Sequence, residues 1–418
     1  MTASTADTVV LGAGLQGLCV AFALREAGHR VIVVEREPAC MRRASLYNEG
    51  KIHVGLVYAN DRRGRTPELM LDAALAFGPL MERWLDGPVP WAAFSASPFK
   101  YLVLRDTLVP TAELYRAWEC LEAAFQRRRS EAGASMSYLG TVPDRLWRPA
   151  DERAPWMAQL GPRVTHAIDT AELALDVVAF RARVEARLAS ADAPRCLFGH
   201  TVTRVARLGR AFRVSGHTAD GAPWALEAPT VVNCLWEGRL AIDQQLGLLP
   251  KRPWVHRLKC RMLGQLPARF AALPSFTLVC GRFGDVVNYG DGRMYLSWYP
   301  ACLRGWSTDV EVPAAWDRIS RGVLDRTTTS QIVTESLEAL DTVVPGLRES
   351  RIDSLGAGVI FSWGESDIDD LDSELHRRDD IGPTAEDGYV TVNTGKLTTA
   401  PLYATLVAQL LAGAPTPA

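Results

Sequence analysis

Long apolar runs are missing from this chain, and none approaches the length needed to span a bilayer. Net charge is nearly missing as well. Against 48 acidic side chains stand 46 basic ones, a balance of −2 that gives nucleic acid or an anionic membrane surface no overall hold on the molecule. The eight cysteines, at positions 19, 40, 120, 196, 234, 260, 280 and 302, contain no CxxC pair and no zinc-type spacing with histidine, so no metal is expected. Cys19 and Cys234 sit inside apolar runs and read as buried small hydrophobes, which suits a reducing compartment. There is no internal repeat and no low-complexity tract. The opening stretch MTASTADTVVLGAG enters a strand without a basic or apolar leader, and a cytoplasmic location is the expectation.

What is present is a globular composition, 48% hydrophobic and 22% charged, over 418 residues, which is too much chain for one ordinary core. Thr8–Leu11 reads as a short buried strand, Gln16–Glu26 as a helix with small inner residues, and Arg30–Val34 as a second buried strand. Together they have the size of a right-handed strand–helix–strand crossover. Residues 66–86 and 111–133 carry helical periodicity, with Trp84 and Trp118 on their buried faces. The first has an apolar face broad enough to touch membrane, although core packing is the expected use. The Pro- and Gly-rich stretch 86–98 reads as a crossing between domains. Asp176–Ser190 is a further helix, 200–206, 211–216 and Pro229–Leu235 are strands, and 254–305 is β-rich. Residues 331–340 look helical, Glu365–Asp380 reads as an exposed loop, and Tyr389–Asn393 and Leu402–Leu411 close the chain as strand and helix.

The run Val10-Leu11-Gly12-Ala13-Gly14-Leu15-Gln16-Gly17 places GxGxxG between strand and helix. Gly12 supplies a tight turn, Gly14 close backbone approach to a pyrophosphate, and Gly17 helix–strand packing. The helix start at Leu15 and Gln16 offers free N–H groups to phosphate. Glu35 ends the second strand 18 residues beyond Gly17, where a carboxylate accepts hydrogen bonds from ribose and repels a 2′-phosphate. Arg36 beside it is a further cofactor candidate. This fingerprint fits NAD and FAD alike.

Two other runs decide between them. Ser45-Leu46-Tyr47-Asn48-Glu49-Gly50-Lys51-Ile52-His53-Val54-Gly55 is polar and Gly-containing, where a plain NAD domain would continue into a helix. Near the other end, Gly395-Lys396-Leu397-Thr398-Thr399-Ala400-Pro401 is a helix start, with Thr398 or Thr399 as cap and Pro401 early in the helix. Its N–H groups and Lys396 suit the negative charge that a reduced flavin carries.

These runs resemble the flavin-facing stretch and closing motif of the D-amino-acid-oxidase superfamily, most closely its glycerol-3-phosphate dehydrogenase and L-2-hydroxyglutarate dehydrogenase branches. The resemblance implies an α/β fold: a Rossmann-like FAD-binding domain of glutathione-reductase type and a second, β-rich α+β substrate domain. It implies FAD as cofactor, with Ser45, Asn48, Lys51, Ile52 and His53 along the flavin and Gly395, Lys396, Leu397 and Thr398 closing over it. Val202 falls where the family contacts adenine, and Asn233 on the strand that ends under the cofactor. The usual small residue–Gly pair after that strand is replaced here by Leu235-Trp236-Glu237-Gly238. The expected division is 1–88, 150–250 and 345–418 for the FAD domain, and 89–149 with 251–344 for the substrate domain.

The candidates for chemistry are His53, Arg378 and Tyr299. Arg378 resembles the arginine that grips the anionic end of substrate in glycerol-3-phosphate dehydrogenases, and guanidinium geometry suits a carboxylate or phosphate. On 293–299, alternation puts Arg293, Tyr295, Ser297 and Tyr299 on one face, and Arg261 is a further candidate pocket residue. His376 is a second histidine near the site. The resulting expectation is an FAD enzyme that oxidises a CH–OH or CH–NH bond of a small polar, anionic molecule, with no membrane or nucleic-acid partner. Its electron acceptor is open among oxygen, a quinone and a carrier protein. The alternatives are an amine or amino-acid oxidase using oxygen, a plain NAD-dependent dehydrogenase, and a non-catalytic flavoprotein.

Overall fold

The computed structural model describes residues 6–413, so the extreme ends of the expected FAD domain, 1–5 and 414–418, lie outside the described residues. A six-stranded sheet runs in the order 382–386, 389–393, 230–233, 8–11, 31–34, 195–197. Its strands are parallel except the edge strand 382–386. The central strand Thr8–Leu11 is buried along its whole length, as a strand covered on both faces must be. On one face lie the helices Leu15–Glu26 and Ala400–Leu411, packed on each other. On the other lies a three-stranded antiparallel sheet of 200–208, 211–218 and 223–228.

A nine-stranded sheet forms the second body. Its order is 303–307, 254–265, 293–298, 284–288, 276–279, 100–104, 164–170, 147–149, with the long strand Arg351–Trp363 pairing along Trp254–Gln265. Alternation sorts its two faces. Leu102, Leu258, Cys260, Met262, Val286, Met294 and Leu296 pack against Ile332, Leu337 and Leu340 of the helix Arg326–Asp341. Tyr101, Val103, Leu263, Val287 and Tyr295 face the other core, which is shared with the helices Leu15–Glu26 and Arg65–Trp84. By the same pleat, Arg257, Lys259 and Arg261 point toward the six-stranded half.

Helix Arg65–Trp84 spends its apolar face on that shared core, with Met70, Leu71, Phe77, Met81 and Trp84 buried. Among the described residues, no helix is long and apolar enough to cross a membrane. Four segments differ from the reading of the sequence. Strands 164–170 and 351–363, expected with the FAD domain, pair in the nine-stranded sheet, because backbone pairing rather than chain order decides which body a strand joins. Glu365–Asp380 is not a free loop. Its Leu375 and Arg378 are buried, and the Arg378 N–H donates to Thr66 Oγ1 at 2.9 Å. The final helix begins at Ala400 with Pro401 in its first turn, but neither threonine caps it. Thr399 Oγ1 donates back to the Lys396 carbonyl at 2.8 Å, and Thr398 Oγ1 accepts from the His53 N–H at 2.9 Å.

Candidate cofactor and active site

Between the two bodies runs a cavity of about 590 Å³. At one end the three glycines do separate jobs. Gly12 has φ +94°, and a Cβ there would lie 3.0 Å from the Cys234 carbonyl oxygen. A Cβ on Gly17 would overlap the Gly12 carbonyl, so no larger residue lets helix and turn meet. Gly14 faces the cavity, with Ser45 Oγ only 3.2 Å from where its Cβ would be. Ser45 Oγ in turn accepts from the Leu15 N–H at 3.0 Å, fixing the second loop onto the helix start. The Glu35 carboxylate accepts from the Ala13 N–H at 2.7 Å and the Glu37 N–H at 2.8 Å. Burial raises its pKa in spite of those bonds.

Of the residues singled out from sequence, Gly12, Gly14, Leu15, Gln16, Glu35, Arg36, Ser45, Asn48, Lys51, His53, Val202, Tyr295, Gly395, Lys396 and Leu397 line this cavity. The others stand behind it. Gly17 serves packing. Ile52 is fully buried, its carbonyl accepting from Tyr138 Oη at 2.7 Å. Asn233 donates to Asp243 and Tyr389 inside the six-stranded half. Thr398 ties His53 to the closing segment. Arg378 is 4% exposed and donates to the Phe361 carbonyl, while Tyr299 Oη donates to Asp367 at 2.6 Å and accepts from Arg257 at 2.8 Å; neither side chain reaches the cavity wall. Arg293 is taken up by Asp176 and Asp291.

The far end of the cavity holds a string of buried charges. His53 Nδ1 faces Glu172 Oε2 at 3.4 Å, and Nε2 faces Glu49 Oε1 at 3.7 Å. Glu172 is fully buried and also accepts from Tyr101 Oη at 2.7 Å and the Val54 N–H at 3.1 Å. Burial alone would raise its pKa, but His53, Lys51 and Tyr101 outweigh it and the net shift is downward. Glu49 behaves likewise: His53, Lys396, Lys259 and Lys51 overcome burial and hold it well below the ordinary carboxylate range. Lys51 is buried against Asp285 and Thr277; burial pulls its pKa down, but the charges of Asp285, Glu172 and Glu49 keep it raised.

Several cavity residues went unread in the sequence. Lys259 lines the wall, and among the described residues it has no ion pair; its ammonium stands 5.9 Å from the Tyr299 ring. Its position two residues from Arg257 and Arg261 is a strand-period signal that could have been found. Trp236, in the departure after Asn233, adopts φ +55° and donates its indole N–H to the Val359 carbonyl at 2.7 Å. That bond ties the turn after the strand Thr230–Asn233 to the long strand Arg351–Trp363 of the second sheet. Glu237 beside it pairs with Arg36 at 2.7 Å.

The backbone donors at Gly14–Gln16, the acceptor Glu35, the elongated cavity and the cationic closing loop fit a dinucleotide carrying a flavin ring. A family model described as FAD dependent oxidoreductase matches residues 7–410. D-amino acid dehydrogenase of Agrobacterium fabrum is 29% identical over 122 residues, a match spanning 28% of this chain and 29% of that protein's length. Among solved structures, glycine oxidase from Geobacillus kaustophilus overlays with a TM-score of 0.66 at 12% identity, covering 99% of this chain and 96% of its own. L-alpha-glycerophosphate oxidase from Mycoplasma pneumoniae, with FAD bound, gives 0.63 at 13% identity, covering 98% and 95%. At such identities the overlays establish the fold.

Proposed function

The chain belongs to the family of FAD dependent oxidoreductases and uses FAD, and on that premise we propose that it oxidises a CH–OH or CH–NH bond of a small anionic molecule. The observation that carries the anionic character is Lys259, a cation on the cavity wall with no ion pair among the described residues. A cation in that setting attracts a carboxylate or phosphate more strongly than it would in water. The match to a D-amino acid dehydrogenase favours the CH–NH alternative.

In this reading Gly12, Gly14, Leu15 and Gln16 hold the pyrophosphate, Glu35 and Arg36 the adenosine ribose, and Val202 the adenine. Ser45, Lys51, His53, Lys396 and Leu397 flank the flavin ring. FAD supplies the acceptor for the hydride equivalent. His53 is the base that takes the substrate proton, with Glu172 at 3.4 Å from Nδ1 and Glu49 at 3.7 Å from Nε2. Lys396, at the start of the last helix, favours negative charge on the ring. Arg378 and Tyr299 support the wall from behind. The enzyme works in the cytoplasm, passing electrons to oxygen, a quinone or a carrier protein.

The test is anaerobic mixing of the yellow holoenzyme with amino acids, 2-hydroxy acids and glycerol phosphate while flavin absorbance is followed. One anionic class should bleach the flavin, and His53→Asn should slow that bleaching by about 10²–10⁴-fold, as loss of a general base does. Bleaching by neutral amines or alcohols alone would refute the reading.

A further inference from the structure

Three cations share one face of the strand Trp254–Gln265, and their surroundings differ. Arg257 is occupied by Tyr299 and Asp367. Lys259 looks into the cavity. Arg261 is 4% exposed, and its Nη1 is buried without a hydrogen-bond partner. Among the described residues no carboxylate lies within 4.0 Å of it. Its guanidinium rests 5.1 Å from the centre of the Tyr47 ring, with Tyr289 and Tyr295 as further neighbours. Burial pushes its pKa below the ordinary arginine value.

Asp176 also acts on Arg261, from beyond 4.0 Å, but it is already paired with Arg293 at 2.8 Å. A guanidinium withdrawn from water without a paired counter-ion is unfavourable. A cation–π contact returns about 0.5–2 kcal/mol, so it does not close the gap. The missing partner is an anion, and the geometry provides its route. Tyr47 lines the cavity and also stacks on the guanidinium. It can lie there because residue 356, paired opposite Arg261 in the sheet, is glycine; a Cβ at that position would overlap the Tyr47 ring. Tyr47 and Tyr295 therefore stand between Arg261 and the cavity, and Tyr47 is the ring stacked on the guanidinium.

We propose that Arg261 is a second anion subsite, uncovered by movement of Tyr47, and that the substrate is a dicarboxylate with one carboxylate at Lys259 and the other at Arg261. Residues two apart on a strand lie roughly 7 Å from one another, a spacing that a succinate- or glutarate-length molecule bridges. A lone guanidinium among tyrosine rings matches a singly charged, planar carboxylate, which it binds through two parallel N–H bonds. The inference rests on the anionic-substrate reading above and narrows it to one class.

Titration of the holoenzyme with glutarate, succinate and butyrate, followed by the flavin difference spectrum, tests it. Glutarate or succinate should bind wild type at least tenfold more tightly than butyrate. Arg261→Met should erase that preference, and Arg261→Lys should keep part of it, since the charge remains and the fork is lost. Without ligand, Arg261→Met should melt no lower than wild type, because it removes a buried charge that has no paired counter-ion. Equal binding of glutarate by wild type and Arg261→Met, or equal affinity of wild type for glutarate and butyrate, would overturn this subsite and leave the anionic reading standing. A lower melting temperature in both variants with flavin loss would mark Arg261 as structural and overturn it too. Absence of any spectral response to all three acids in wild type would sink the anionic reading, and the subsite with it.

Discussion

His256 is fully buried next to Phe361, and burial, with Arg239 nearby, holds its imidazole down to about 4. The unfolded chain takes up a proton near 6.5, whereas the folded chain does not until about 4. Folding stability from this residue is therefore complete above 6.5 and falls as pH drops from 6.5 toward 4, by up to about 3 kcal/mol. Urea unfolding of wild type and His256→Phe at pH 7.5 and pH 5 should show a shallower pH dependence in the variant; equal slopes would remove the histidine from the account. At this scale the sequence was legible only where neighbours in sequence are neighbours in space. Gly12, Gly14, Ser45 and Lys396 could be read because each sits in a contiguous motif. Arg261 was a candidate from the alternation of the β-rich stretch, and Lys259 shares its period. Glu172 could not be read, because distant segments bring it to His53, and no local pattern marks a carboxylate 119 residues away as its partner.

Among the elements, the short helix Ala315–Ser320 buries Trp316 in the core and sets Asp317 in a cluster of charges. Its Asp317 pairs with Arg43 and Arg321, and Glu37 pairs with Arg43 at 2.8 Å and with Arg321 at 3.3 Å. Glu311 and Val312, just ahead of this helix, line the cavity beside Arg36, Arg42 and Arg43. The helix thus ties the nine-stranded body to the end of the cavity at Arg36 and Arg43, where the proposed reading puts the adenosine. Exposed pairs are individually weak and are screened by salt. Asp317→Ala should therefore leave the fold intact and speed FAD release by about three- to tenfold, with the difference shrinking at high salt; fluorescence of liberated flavin gives the rate. Helices and strands with clean periods, such as Thr8–Leu11 and Arg65–Trp84, were readable in advance. The segment 365–380 was not, because its polarity concealed that Arg378 and Leu375 turn inward against Phe361 and the start of helix Arg65–Trp84.

On the scale of the molecule, the cavity is the seam between two sheets, and the bonds that bridge it directly include Trp236 to Val359, Lys51 to Asp285 and Arg43 to Asp317. A cofactor lying along the seam adds contacts to both bodies. Stripping FAD should lower stability, and restoring it at 100–1,000 times its dissociation constant should return about 3–4 kcal/mol. Scanning calorimetry of apo and reconstituted protein measures this, and coincident melting curves would contradict it. The two-body architecture was foreseeable from the β-rich run after 254, but its seams were not, since 164–170 and 351–363 cross from one body to the other by strand pairing alone.

Gln16 Nε2 donates to the Ala400 carbonyl across 384 residues of chain. If Gly12, Gly14, Leu15 and Gln16 hold the pyrophosphate as proposed, a chain that stops before the helix Ala400–Leu411 carries the cradle without the wall that closes it, and should be colourless however well its first half folds.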